Sequence, residues 1–231
     1  MCGRFTLSKD GLWVMSQLRV PAGPRAEQWK PRYNIAPTQD VLALLATPEG
    51  PRLEVLKWGL IPSWAKDPKI GNRMINARVE TAASKPAFRR PFQTRRCVVL
   101  ADGFYEWKAI PGGKVPTHVR PPGQSLIGFA GLWDGWKDPK GDEVRTCTIL
   151  TTEARGPVRE VHERMPVILP RETWPAWIGV EKAEPGKLLD LVRAAPVPGL
   201  EVEPVSKLVN SPRNDGPEVL APASVSPTRR R

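Results

Sequence analysis

The chain has 231 residues, and 35 Lys and Arg against 24 Asp and Glu give it a formal charge of +11 and an isoelectric point near 10.0. That length suits one large domain or two small ones, and 27 Pro with 19 Gly interrupt long helices, which excludes a coiled coil or an extended helical bundle. A hydrophobic content of 40% with nine Trp is far from the composition of a disordered chain, so the chain folds and presents a surface that attracts anions.

The first residues, Met1-Cys2-Gly3-Arg4-Phe5, lack an apolar stretch of signal-peptide length, and no later run approaches the ~18 apolar residues of a membrane span. A cytoplasmic protein is expected, nucleoid-associated if the cell is bacterial, with no membrane partner. Cysteines at 2, 97 and 147 are an odd count without metal-ligand spacing, which fits a reduced compartment and gives no sign of a metal or other cofactor.

Ser8 is a plausible N-cap for a helix carrying Leu12, Met15 and Leu18 and stopping before Pro21. A Pro-rich loop follows over 21–39. Residues Val41–Ala46 and Leu53–Trp58 read as strands around a turn at Pro48–Pro51, and Cys97–Trp107, Leu126–Trp133, Val144–Thr152 and Met165–Leu169 read as four more. Mostly loops separate these runs, so the expected architecture is α+β: a mainly antiparallel sheet curled towards a barrel, with helices outside such as Lys187–Ala195. Residues 1–220 read as a single domain. Residues 221–231, with small residues, two prolines and three terminal arginines, read as a disordered basic tail.

The charge is concentrated. Residues 66–96 hold Lys66, Lys69, Arg73, Arg78, Lys85, Arg89, Arg90, Arg95 and Arg96 against Asp67 and Glu80. Trp58 and Trp64 precede this segment, and Phe88 and Phe92 lie in it. Cations for phosphates interleaved with rings for bases are what a single-stranded nucleic acid requires, whereas a solvated basic face over core aromatics has the same composition.

Cys2 is chemically unusual. Loss of Met1 would leave an α-amine and a thiol on adjacent carbons, with ordinary pKa values of ~7.7–8.0 and ~8.5, so each is partly unprotonated near neutral pH. Such a 1,2-aminothiol condenses with an aldehyde to an imine and then closes a five-membered thiazolidine. Glu106, between Tyr105 and Trp107 at the end of an apolar run, would have its carboxyl raised by burial and so suited to proton transfer, or would turn outward beside Lys108. His162 precedes a strand, a position suited to acid–base work. Asn76, Arg78 and Glu80 share a face if extended, and Asn76 and Glu80 share one if helical. Either arrangement presents an amide with a guanidinium, and a structural Arg78–Glu80 ion pair is the alternative.

Six blocks together resemble the SRAP (SOS response-associated peptidase) family: Met1–Phe5, Arg32–Gln39, Lys57–Trp64, Ile75–Thr81, Ala101–Lys108 and His162–Pro166, with Val209-Asn210-Ser211 further on. The resemblance implies a curved barrel-like domain that recognises abasic sites in single-stranded DNA as a monomer and attaches itself to them. In it Cys2, freed of Met1, is the nucleophile that forms a thiazolidine with the ring-opened sugar. Asn76 holds the Cys2 amine or its adduct, Glu106 moves protons, and His162 stands near the sugar oxygen. Arg4 and Arg78 would face phosphates, as would Arg89 and Arg90 in the basic segment, while Trp64 or Trp107 packs on bases. Weak strand cleavage (AP lyase) and removal of its own Met1 are further activities it allows. The competing expectation is a module that binds single-stranded or modified DNA without covalent chemistry.

Overall fold

In the computed structural model, residues 2–180 and 184–223 are described. In chain order the elements are β1 (Phe5–Leu7), α1 (Gly11–Leu18), α2 (Pro24–Glu27), β2 (Arg32–Ile35), β3 (Asp40–Thr47), β4 (Gly50–Trp58), β5 (Asn76–Arg78), α3 (Val79–Ala82), α4 (Pro86–Thr94) and β6 (Arg96–Ala101). There follow β7 (Gly103–Ile110), β8 (Gly113–Arg120), β9 (Ile127–Lys137), β10 (Glu143–Glu153), β11 (Arg164–Pro166), β12 (Ile168–Leu169), α5 (Trp174–Ile178), α6 (Pro185–Ala194) and β13 (Glu201–Pro204).

Strands β10, β4, β3, β6 and β9 pair in that order, and β9 returns to β10, closing a five-stranded barrel. Closure leaves these strands without open edges. All of its pairings are antiparallel except β10 with β4, where Thr146 lies opposite Lys57 and Cys147 opposite Trp58. A second sheet, ordered β13-β8-β7-β1-β2, lies against the barrel. Phe5 of β1 meets Trp58 edge-on at 5.1 Å and Phe129 at 5.8 Å, while Phe104 of β7 meets Phe129 at 6.1 Å. These fully buried rings join the two sheets through edge-to-face packing. The expected mixed α+β architecture with a curled, mainly antiparallel sheet and outer helices is the one observed.

The local expectations need several corrections. The run Cys97–Trp107 is two strands, because the chain turns a corner at Asp102, whose N–H donates to Thr6 O and whose carboxylate accepts from the Ser8 N–H and hydroxyl. Gly103 permits the corner: a Cβ there would stand 2.2 Å from Nε2 of His118. Ser8 is thereby engaged, and the cap of α1 is Asp10, which accepts from the Trp13 N–H. Met165–Leu169 likewise splits into β11 and β12. Residues 221–223 belong to the folded part, with Ala221 O and Ala223 N bonded to Ser206 and Pro204; the remaining tail, 224–231, lies outside the described residues.

Three of the four interleaved aromatics of the basic segment are core, Trp64 being the exception. Trp58, Phe88 and Phe92 are all buried. Two of the cations are committed as well: Arg95 pairs with buried Asp134, and Arg96, itself buried, donates to the Phe92, Gln93 and Trp177 carbonyls, closing the C-terminal end of α4. The other seven are exposed.

His118 is boxed in by Tyr105, 4.9 Å away ring to ring, and by the Thr6 hydroxyl at 3.1 Å. Gly103→Ala should therefore destabilise the protein by roughly 1–3 kcal/mol. Thermal unfolding would show this as a fall of about 2–4 °C per kcal/mol in a chain of this size.

Candidate active site

The site begins from the pairing of the terminal strand. Phe5 lies opposite Phe104 and Thr6 opposite Gly103 in the antiparallel β1–β7 pair, and the Tyr105 N–H donates to Arg4 O at 2.9 Å. This continuation lays residues 2–4 along the stretch of β7 that contains Glu106. On the other side, β5 pairs in parallel with β10, Asn76 opposite Ile149, and Asn76 Nδ2 donates to the Cys2 carbonyl at 2.8 Å. Asn76 Oδ1 is buried and has no hydrogen-bond partner among the described residues, leaving an acceptor beside the terminal residue.

Glu106 is 3% exposed, so it points inward and does not pair with Lys108, whose ammonium reaches Glu160 instead. Burial pushes its carboxyl up, and the nearby His162 pulls in the opposite direction. The Cys2 thiol is fully buried, and burial together with the adjacent Glu106 pushes it far up. His162, half-buried, follows a short 3-10 turn and precedes β11. Its Nδ1 accepts from the Arg164 N–H at 2.9 Å. Nδ1 also lies 3.2 Å from the Arg164 carbonyl oxygen; when Nδ1 accepts, the neutral ring carries its proton on Nε2. Cys2, Asn76, Glu106 and His162 therefore converge on one place.

The expected DNA-facing residues are more dispersed. Arg78, the last residue of β5 and the residue that caps α3, is exposed two positions beyond Asn76. The expected alternative of an Arg78–Glu80 ion pair does not form: the Glu80 carboxylate takes both Nη groups of Arg164, at 2.7 and 3.0 Å. Trp64, 60% exposed, stands on the loop from β4 to β5 that delivers Asn76. Arg89 and Arg90 lie on the exposed side of α4, which packs on β6 and β9, not on the Cys2 cluster. Trp107 is half-buried, and its indole N–H donates to Asn210 Oδ1 at 2.8 Å; strand alternation turns it away from Glu106. Arg4 is half-buried, with Nη1 donating to Asn34 Oδ1 and Val209 O.

Sequence reading missed the support around these groups. Arg164, two residues after His162, clamps Glu80 and also donates to Thr151 O at 2.7 Å, fixing β11 against β10 and α3. Thr117 of β8 donates to Glu106 O at 2.8 Å. Arg164 lies inside a recognised block and Thr117 outside all of them, and partners 84 and 11 positions away leave no periodic signal. No group of His, Cys, Asp and Glu arranged to hold a metal ion occurs among the described residues, and none of their helices is long and apolar enough to cross a membrane.

A cysteine at position 2, an amide, a buried carboxyl and an imidazole thus meet where β1 pairs with β7 and β5 reaches across from β10. The model of the SOS response associated peptidase (SRAP) family matches residues 1–212, and the chain belongs to that family. Among its relatives, the abasic site processing protein YoqW of Bacillus subtilis is 41% identical over 95% of this chain and 99% of its own length. The abasic site processing protein HMCES of Gallus gallus is 35% identical over 96% of this chain and 78% of its own. A solved structure from Bacteroides thetaiotaomicron superposes with a TM-score of 0.85 at 22% identity, covering 96% of this chain and all of that one. A phage-related protein from Bordetella bronchiseptica gives 0.69 at 29% identity over 89% and 95%.

The raised Glu106 carboxyl has a signed consequence for stability. The folded chain holds its proton above the ordinary value of 4.5, where the unfolded chain has released it, so stability falls as pH rises through that window. Glu106→Gln should melt higher than the parent at pH 7, by about 2–4 °C for each kcal/mol regained. The two melting curves should converge below pH 4.5.

Proposed function

We propose that this chain processes abasic sites by joining itself covalently to them in single-stranded DNA, through Cys2 freed of Met1. The observation that carries this reading is the convergence of Asn76, Glu106 and His162 on the residue that becomes an aminothiol. The Cys2 amine adds to C1′ of the ring-opened sugar, and loss of water gives an imine. The thiol then adds to the same carbon, its proton leaving to a base, and the thiazolidine closes with one water released overall. Glu106 is the group that exchanges these protons, and the Nε2–H of His162 is the donor for the sugar oxygen during ring opening. Asn76, donating to the Cys2 carbonyl and keeping Oδ1 free of other partners among the described residues, orients the amine.

Arg78 beside Asn76, with Arg89 and Arg90 further along, would neutralise phosphates, and Trp64 offers the most open ring to an unstacked base. Trp107 would flank the site from the other side of β7. An imine at C1′ also acidifies the C2′ proton, so slow β-elimination would accompany crosslinking as a weak lyase activity. Met1 must leave first, by attack of Cys2 on its own peptide bond or by an aminopeptidase. The names of the relatives, abasic site processing proteins of bacteria and vertebrates, agree with this reading.

An oligonucleotide with one abasic site should yield a protein–DNA band that survives denaturing electrophoresis, absent in Cys2→Ala and in protein whose mass shows Met1 retained. Persistence of the band in Cys2→Ala would place the covalent bond on another nucleophile, and absence of any band from the parent would leave only reversible binding. Glu106→Gln should slow the band's appearance by about 10²–10⁴-fold, with little change in affinity for undamaged strands.

A further inference from the structure

Arg4 lies two residues from the proposed nucleophile, and its guanidinium faces inward. The two N–H bonds of Nη1 go to Asn34 Oδ1 at 2.8 Å and Val209 O at 2.9 Å, and the guanidinium carbon stands 5.8 Å from the centre of the Trp107 ring. Asn34, wholly buried, spreads its own amide over the carbonyls of Val209, Ser211 and Asn214. The Asp215 carboxylate takes the backbone N–H groups of Tyr33 and Asn34 at 2.8 and 2.7 Å and pairs with Arg32. Residues 209–215 are thus locked to β2, and Arg4 is locked to both. The main chain of Arg4 faces the site: its carbonyl accepts the Tyr105 N–H at 2.9 Å and the Cys2 thiol at 4.0 Å.

A residue at a chain terminus is tethered on one side, and terminal residues fray unless tied down. A two-stage condensation needs both nucleophiles of Cys2 held within a fraction of an ångström of the groups that exchange its protons. Asn76 grips the Cys2 carbonyl, and β1 itself is three residues long. The next grip on this segment is the Arg4 guanidinium, whose Nη1 makes both bonds while its plane lies over the Trp107 ring, a combination that lysine's shorter, non-planar head does not reproduce.

We propose that Arg4 is a positioning residue for Cys2: clamped between Asn34 and the Val209 carbonyl, it fixes the terminal segment so that the Cys2 amine and thiol face Glu106 and His162. This rests on the reading that Cys2 forms the crosslink, and it makes the C-terminal segment 209–215 part of the apparatus that presents the nucleophile.

The test compares full-length Arg4→Lys and Arg4→Met with the parent, all with Met1 removal verified by intact mass. Crosslinking to a single-stranded oligonucleotide with one abasic site is timed across protein concentrations, and binding of an undamaged oligonucleotide is followed by anisotropy across salt concentrations. Arg4→Lys and Arg4→Met should both lower the saturating crosslinking rate by about 10–100-fold, with the half-saturating concentration and the salt slope moved less than about twofold. Rescue of the rate by Lys, with Met alone weakening binding and reducing the salt slope by about one, would make Arg4 a phosphate contact and overturn the proposal.

Should either variant fail to fold, ¹⁵N spectra of the parent's arginine side chains decide. Slowly exchanging Arg4 guanidinium protons in free protein, unmoved by undamaged oligonucleotide, are expected; protection that arises only with DNA would overturn the inference. A parent that forms no crosslink would defeat the proposed function instead, leaving the inward clamp to be judged on the spectra.

Discussion

The arrangement of the site depends on a terminal strand that is interior. β1 is three residues long, yet it lies between β7 and β2 in the five-stranded sheet and is paired on both sides. Phe5 and Leu7 of this strand are fully buried, and the contacts of Phe5 with Trp58 and Phe129 carry it onto the barrel. A terminus in that position has a defined register, because a slip of one residue would take Phe5 off the Trp58 and Phe129 rings and put Thr6 in its place. The register puts Cys2 beside the inward-facing Glu106. The same insertion explains why the corner at Asp102 exists: β6 belongs to the barrel, β7 to the sheet that receives β1, and Asp102 is the residue that bonds back to Thr6 and Ser8.

The charge of +11 does two kinds of work. Arg95 and Arg96 are held by Asp134 and by main-chain carbonyls, Arg164 by Glu80 and Thr151, and Arg4 by Asn34 and Val209. In these places arginine serves as a multi-donor brace for carbonyls that would otherwise be buried unpaired. The exposed cations of 66–96 are distributed over the β4–β5 loop, the end of β5 and α4, and supply a field rather than a fitted groove. The rings near them mostly hold the fold together, and Trp64 alone of the aromatics between 58 and 92 is exposed among the described residues.

Much of the barrel was legible because its strands are long apolar runs. Val41–Ala46, Leu53–Trp58 and Val144–Thr152 fall inside β3, β4 and β10, and Leu126–Trp133 starts one residue ahead of β9. β1, β2, β5 and β13 are three or four residues long, too short for an alternating pattern to register, and β8 contains Pro116 and His118, which disguise it. For the site, the chemistry of Cys2 and the resemblance picked out the four converging residues, but proximity among positions 2, 76, 106 and 162 is a tertiary fact. Asn34 shows the limit most clearly: an asparagine in a Pro-rich stretch looks like a turn residue, whereas here it is a buried hub whose partners lie some 175 positions away.

The electrostatics of the cluster also bear on the order of the proposed steps. Burial and the neighbouring Glu106 both keep the Cys2 sulfur protonated, so the thiolate is scarce where a free cysteine would supply it readily. An amine needs only to lose its proton to become nucleophilic, and the neutral amine is the form that a buried, low-dielectric site favours. On the proposed reading the amine therefore adds first. The imine it forms, once protonated, places a positive charge next to Glu106 and the thiol, and that charge opposes both influences that hold the sulfur's proton. The thiol becomes competent only after the aldehyde has been captured, so the burial that makes Cys2 a poor nucleophile at rest would also spare it from reacting with anything that does not first engage its amine.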